Sequence, residues 1–328
     1  MEGGRPEVLM LAPKQTISEG LEKDFTLHRL WEAADPEAFL SEIAPRVRAI
    51  ATPGGWAPVD AKLMARLPRL EIVATFGVGY DHVDAAWAGA HGIVVTNTPD
   101  VLTEEVADTA LGLILCTVRE FPQAERYLRA GKWREKPYPL SKATLRNRTV
   151  GIVGLGRIGK AIARRLDAMK VPVIYHGRSE QPGVPYRYYP KLIDLARDAD
   201  VLVVMTPGGA QTRNLINAEV LEALGPNGIL INMSRGSVVD EAALIKALKE
   251  GKILSAGLDV FANEPEVPQE LIEMEHVVLF PHLGSASVYT RQLMDQLVID
   301  NLKAWAQGRP PLTPVPETPW PPMRRQSS

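Results

Sequence analysis

The sequence predicts an α/β protein made of two doubly wound parallel-sheet domains. Short apolar runs alternate with amphipathic helical segments, the alternation comes in two separate series, and the second series opens on a strand, a glycine-rich turn and a helix. Parallel neighbours need crossover connections, and helices supply them. With 328 residues, 45% of them hydrophobic and 23% charged, the chain has the length and apolar content for two such cores.

In the first series Val8–Ala12, Phe25–Leu30, Arg48–Thr52, Ile72–Phe76 and Val94–Thr96 read as strands, with polar amphipathic segments between them. A helix follows over Glu104–Arg119. Val106, Ala107, Ala110, Leu111, Leu113, Ile114, Leu115 and Val118 make it apolar almost all round, which predicts burial between domains or at a subunit interface. The second series contains Val150–Val153, Val173–His176, Val201–Met205, Gly228–Asn232, Ser255–Val260 and Val277–Phe280. A last helix starts after Ser287, a good N-cap, and carries Leu293, Met294, Leu297, Val298, Leu302 and Trp305 on its apolar side. It stops at Gly308 before Pro310, and its apolar side can return to the first hundred residues. The remaining stretch holds seven prolines and predicts an extended tail, laid over its own protein with Trp320 as anchor or left without order.

A formal net charge of −2, with scattered Lys and Arg, argues against a nucleic acid or an anionic membrane as partner and for small-molecule chemistry. The single cysteine, Cys116, lies in an apolar helical stretch, so it reads as a core thiol in a reducing compartment. The N-terminal apolar run is too short for a signal peptide and no segment has the apolar length of a bilayer span, so the expected location is the cytoplasm.

The segment TVGIVGLGRIGKAIARRL, Thr149 to Leu166, has the spacing that binds a dinucleotide. Gly154 is expected to make the tight turn, Gly156 to let the backbone approach a pyrophosphate, and Gly159 to let the helix Ile158–Met169 pack on the strand Val150–Val153. Free N–H groups at the helix start would hold the phosphates. Downstream, INMSRGSVVD, GLDVFANEP and LFPHLGSAS each end a strand with a chemically useful side chain: Arg235, Asp259 with Glu264, and His282. Singly, these read as a surface cation, a loop acid and a loop histidine. Together they stand beyond the carboxyl ends of strands, where open α/β sheets bind ligands.

FGVGYDHVD, NTPDVLTEEVADTALGLIL, GIVGLGRIG, NMSRGSVVDEAAL, AGLDVFANEP and PHLGSAS, in this order, resemble the D-isomer-specific 2-hydroxyacid dehydrogenases, and within them the NADP-dependent glyoxylate/hydroxypyruvate reductases. The resemblance spans almost the whole chain. It implies a flavodoxin-like substrate domain begun by residues 1–98 and completed by the last helix within 287–328, a Rossmann cofactor domain over 99–286, and a homodimer formed mainly through cofactor domains. It also implies that backbone N–H groups of Val78 and Gly79 hold the substrate carboxylate, and that Asp259 contacts the nicotinamide end of the cofactor. Arg157, Ile158, Thr206, Pro207, Met233, Gly284 and Ser285 join the three motif glycines as implied cofactor contacts.

The chemistry of reducing a 2-oxo acid agrees with this set. It needs a hydride donor, a cation to hold the carboxylate and polarise the carbonyl, and an acid for the developing alkoxide. Arg235 suits the cation role because its planar fork makes two hydrogen bonds. His282 suits the acid role, and Glu264 on its other ring nitrogen would orient the ring and favour its protonated form. No metal is required. For the cofactor, the position that carries a ribose-binding carboxylate in NAD-selective folds is here His176 or Gly177, followed by Arg178 and Ser179. Gly177, Arg178 and Ser179 therefore suit the 2′-phosphate of NADP, while Glu180 points to NAD as the alternative. In GKWREKPYPL, Trp133 or Tyr138 would either reach a neighbouring subunit's site or pack in an interface. Two further readings remain: an NAD-dependent enzyme for a larger or phosphorylated 2-oxo acid, and a dinucleotide-sensing corepressor-like binding protein.

Overall fold

The structure, a computed structural model, describes residues 4–54 and 57–322. The chain divides into two compact units, one formed by the residues up to Leu102 with those from Ser287 onward, the other by Thr103–Ala286.

The first unit holds a five-stranded parallel sheet: β1 (Glu7–Met10), β2 (Thr26–Arg29), β3 (Val47–Thr52), β4 (Ile72–Thr75) and β5 (Val94–Thr96), in the order β2-β1-β3-β4-β5. This is the flavodoxin-like arrangement. The interior strand β4 is buried along its whole length, as expected of a parallel strand covered on both faces. Aspartates start three of the crossover helices: Asp35 accepts the Glu37 and Ala38 N–H groups, Asp60 that of Leu63, and Asp84 that of Trp87.

The last helix, Val288–Ala306, begins as its N-cap predicts, with the Ser287 hydroxyl accepting the Thr290 N–H at 3.2 Å. It packs on β4 and on the helix Gln15–Leu21 of the same unit. Met294, Val298, Leu302 and Trp305 are buried, whereas Leu293 is exposed and Leu297 half-buried. Ile299 takes their place, because a stripe through 294, 298 and 302 leaves 293 on its flank.

The proline-rich segment is laid against its own unit, but Trp320 is not its main anchor. Val315 and Thr318 are buried, and Trp320 is only half-buried. The Val315 N–H donates to the Val95 carbonyl at 2.9 Å and the Thr318 hydroxyl accepts the Val95 N–H at 2.8 Å, so the tail is fixed by pairing with β5.

The second unit contains a seven-stranded parallel sheet: β6 (Val150–Val153), β7 (Val173–His176), β8 (Arg187–Tyr189), β9 (Val201–Val204), β10 (Ile229–Asn232), β11 (Ser255–Leu258) and β12 (Val278–Leu279). The order β12-β11-β10-β9-β6-β7-β8 is the doubly wound dinucleotide-binding order with one added strand. β8 escapes the sequence pattern: three residues after a Pro- and Gly-containing loop carry too few apolar side chains to show a period.

The helix Thr103–Arg119 packs on β10, β11 and the helix Arg157–Ala168. It is not buried on all sides. Val106, Ala107, Ala110, Leu113, Ile114, Thr117 and Val118 form one buried face, and Leu111, Leu115 and Cys116 stand half-exposed beside it. Among the described residues no helix is long and apolar enough to cross a membrane.

Candidate active site

The glycine turn follows β6, and Thr206 and Pro207 follow β9, its neighbour in the sheet. From this pair the strand order runs outward in opposite directions, which makes it the crevice where doubly wound sheets take their ligand. Gly154 has φ +100°, and a Cβ there would lie 2.7 Å from the Met205 carbonyl oxygen. A Cβ at Gly159 would lie 2.4 Å from the Gly154 oxygen, whereas one at Gly156 would meet open space. The first helical bond runs from the Lys160 N–H to the Gly156 carbonyl at 2.9 Å, so the N–H groups of the turn before it have no acceptor inside the helix. Open space beside a helix start fits a pyrophosphate.

Gly177, Arg178 and Ser179 lie just beyond β7, and the Gly154 N–H donates to the His176 carbonyl at 2.9 Å, which ties this segment to the glycine turn. Gln181, which sequence reasoning passed over, strengthens that tie by donating from its side chain to the Leu155 carbonyl at 2.8 Å. Arg178, Ser179 and Glu180 are exposed. Among the described residues the Arg178 guanidinium has no hydrogen-bond or ion-pair partner, so it keeps its full donor capacity for a phosphate. His176 is turned to another use, its Nδ1 lying 2.9 Å from the Tyr189 carbonyl of β8.

Arg235 leaves the end of β10 on a turn that Asn232 shapes. The buried Asn232 accepts the Ser234 N–H at 3.1 Å and donates to the Arg235 carbonyl at 3.1 Å. The next residue, Gly236, lies so close to the Phe261 backbone that a Cβ would overlap it. The Arg235 turn therefore rests directly on the loop that carries Glu264.

Glu264 and His282 form the expected pair. His282 Nδ1 donates to Glu264 Oε2 at 2.7 Å, and Oε1 accepts the Phe261 N–H at 3.0 Å, so the carboxylate and the ring are both held. Partial burial pushes the Glu264 carboxyl up. The His282 hydrogen bond and charge, the Phe261 N–H and the Arg235 charge outweigh it and hold Glu264 below its usual range. Nε2 of His282 has no protein partner among the described residues, and the side chain is 45% exposed. The ring can thus offer one nitrogen to a ligand while the other is fixed.

His282 has φ +52°, a conformation that costs a residue with a Cβ on the order of 1 kcal/mol or more. Asp259, at the end of β11, holds it there. Its carbonyl accepts the His282 N–H at 2.9 Å, and its two carboxylate oxygens accept the Leu283 N–H at 2.7 Å and the Gly284 N–H at 3.0 Å. Burial pushes the Asp259 carboxyl up, against the lowering effects of these N–H groups and the His282 charge. Met233 is buried beyond β10, and the Gly284 carbonyl accepts the Thr109 hydroxyl at 3.2 Å. Ser285 follows, half-buried.

In the first unit, Val78 and Gly79 form a half-exposed loop beyond β4. In the arm of the second unit the two aromatic candidates separate. Tyr138 packs edge-on against Tyr127 with ring centres 5.3 Å apart, and its hydroxyl donates to Glu120, whereas Trp133 is 66% exposed.

The family profile described as "D-isomer specific 2-hydroxyacid dehydrogenase, NAD binding domain" matches residues 111–284. The chain is 47% identical over 309 residues to the glyoxylate/hydroxypyruvate reductase A of Arabidopsis thaliana, covering 94% of this chain and 98% of the relative. It is 46% identical over 309 residues to a hydroxyphenylpyruvate reductase of Plectranthus scutellarioides, again covering 94% and 98%. Among solved structures, the NADPH-dependent glyoxylate/hydroxypyruvate reductase of Sinorhizobium meliloti in complex with NADP and malonate is similar with a TM-score of 0.92 and 51% identity, over 99% of this chain and 100% of that one.

Proposed function

Because the chain belongs to the D-isomer-specific 2-hydroxyacid dehydrogenases, an NAD(P)-dependent oxidoreductase family, we propose that it reduces small 2-oxo acids, glyoxylate and hydroxypyruvate, to 2-hydroxy acids with NADPH. The observation that carries this reading is the 2.7 Å Glu264–His282 pair, which leaves one imidazole nitrogen open in a unit that also carries Arg235.

When bound, the nicotinamide supplies a hydride to one face of the substrate carbonyl carbon. Arg235 holds the carboxylate and the carbonyl oxygen, drawing electron density from the carbon. His282 Nε2 gives its proton to that oxygen as negative charge develops, and Glu264 holds the ring in place through Nδ1. The Val78 and Gly79 N–H groups of the first unit also bind the carboxylate, as the family resemblance implies. Gly154 and Gly156, with Arg157 and Ile158, would cradle the pyrophosphate while Gly159 lets the helix pack close behind them, and Arg178 with Ser179 would take the 2′-phosphate. Thr206, Pro207, Met233, Asp259, Gly284 and Ser285 line the rest of the cofactor's path along the carboxyl edge of the sheet.

A homodimer accords with the exposed apolar side chains of the second unit, where Phe121 is 47%, Leu128 56%, Trp133 66% and Leu140 94% exposed. A single cysteine suits a cytoplasmic location.

The test is NADPH and NADH oxidation, followed by absorbance, with glyoxylate, hydroxypyruvate, hydroxyphenylpyruvate and a phosphorylated 2-oxo acid. The highest kcat/KM is expected for glyoxylate or hydroxypyruvate with NADPH. A preference for the aromatic acid would move this enzyme towards its Plectranthus relative, and no oxidation with any of them would sink the reading.

A further inference from the structure

The carboxylate-holding loop of the first unit is built from backbone, and something must aim its donors. Gly77 has φ +128°, the turn that lets the chain leave β4 and run into Val78 and Gly79. The Gly77 N–H donates to the Thr98 hydroxyl at 2.9 Å, and the Gly77 carbonyl accepts the Thr98 N–H at 2.8 Å. The Val78 carbonyl accepts the Asn97 side-chain amide at 2.8 Å. Both carbonyls are thus drawn to one segment, residues 97–98, just beyond β5.

In a trans peptide the N–H points opposite to the carbonyl. Both peptides here are trans, so the Val78 and Gly79 N–H groups point together, away from that segment. Among the described residues neither has an acceptor. Two successive N–H groups aimed the same way make a concave anion site.

Asn97 is itself braced by the C-terminal tail. Its N–H donates to the Thr313 carbonyl at 3.3 Å, and its carbonyl accepts the Thr313 hydroxyl at 2.6 Å. The fully buried Asn301 of the last helix fixes Thr313 in turn: Oδ1 accepts the Leu312 and Thr313 N–H groups at 2.8 and 3.1 Å, and Nδ2 donates to the Thr313 hydroxyl at 2.9 Å. A continuous chain of hydrogen bonds runs from Asn301 through Thr313 and Asn97 to Val78.

We propose that Asn97 and Thr98 are positioning residues that aim the Val78 and Gly79 N–H groups at the substrate carboxylate, and that the C-terminal tail sets Asn97 through Thr313. The inference rests on the reading that this loop holds the carboxylate. The tail is then part of the substrate-binding apparatus and not an appendage for a partner.

The experiment compares wild type, Asn97→Ala, Thr313→Val, Thr313→Ser and a chain ending at Gly308, measuring KM and kcat for glyoxylate, inhibition by the carboxylate oxamate, and NADPH affinity. Asn97→Ala is expected to raise KM and the oxamate inhibition constant by about tenfold, the scale of a hydrogen bond to a charged group, with NADPH affinity unchanged. Thr313→Val should show the same signature more weakly, Thr313→Ser should restore it, and the shortened chain should match Asn97→Ala. Wild-type constants in Asn97→Ala and Thr313→Val overturn the proposal, as does a loss of NADPH affinity parallel to the loss of oxamate binding. If wild type neither reduces glyoxylate nor binds oxamate, the carboxylate reading itself fails and takes this inference with it.

Discussion

The carboxyl edges of the two sheets are built for different kinds of work. At the edge of the seven-stranded sheet the chemically able groups are side chains: Arg235 after β10, Asp259 after β11, and Glu264 and His282 on the loops beyond. At the edge of the five-stranded sheet they are the backbone N–H groups of Val78 and Gly79, with their supporting side chains one step removed. On the proposed function, the difference separates substrate selection from turnover. Side chains can gain and lose protons and carry full charge, which reaction steps require, whereas backbone donors are fixed partial charges suited to holding an anion in place. Loss of the proton-carrying side chain at the second sheet should therefore act mainly on kcat, loss of the supports at the first mainly on KM, and Arg235, which holds and polarises the substrate, on both.

The largest expected effect is at His282. His282→Asn should lower kcat by about a hundred- to ten-thousandfold, the usual share of general acid–base catalysis, while NADPH affinity stays near wild type. Stopped-flow reduction of glyoxylate and a fluorescence titration with NADPH check both halves. Unchanged turnover would break the comparison at its centre.

Next comes Arg235→Lys, which keeps the charge and removes the planar fork. A loss of about tenfold to a hundredfold in kcat/KM is expected, equivalent to one or two hydrogen bonds to a charged group. Near-normal efficiency would show that charge alone suffices at this edge.

Arg178→Ala sharpens the comparison on the cofactor side. NADPH affinity should fall by about tenfold to a hundredfold with NADH little affected, and His176→Asp should push preference further toward NADH. The ratio of kcat/KM for the two cofactors decides it, and equal losses for both would remove Arg178 from the 2′-phosphate.

Glu264→Gln should be the mildest. Without the carboxylate that fixes its Nδ1, the ring is less well aimed, so kcat should fall, by less than in His282→Asn. Stability gives an independent check. Glu264 is held below the usual carboxylate range, so its contribution is complete above that range and is lost as pH falls through the depressed value. The difference in Tm between wild type and Glu264→Gln should accordingly be present at neutral pH and vanish in acid.

The same contrast explains what could be read from residues alone. The glycine turn, Arg235 and His282 announce themselves because residue type and spacing are the chemistry. Asn97 gives no such signal: a polar residue after a strand looks like any loop residue until its amide is seen on the Val78 carbonyl. The doubly wound class followed from alternating apolar runs, but the three-residue β8 was too short and polar to register. Counting apolar residues around the helix Thr103–Arg119 suggested burial on all sides. Packing selected one stripe of them, and left Leu111 and Leu115 half-exposed. Trp320 drew attention as the largest side chain of the tail, yet pairing with β5 placed the smaller Val315 and Thr318 inward.

That pairing has a colloidal consequence. β5 ends the five-stranded sheet, and an outermost strand presents unmet donors and acceptors that can recruit another polypeptide into an intermolecular sheet. The tail lies on that side through the Thr96–Pro314 bridge and the Val95–Val315 contact. Pro314, at the bridge, has no N–H to offer to a further strand, so the tail covers this edge without extending the donor row there. The segment thus covers the β5 edge, the place where another strand would otherwise add to the sheet.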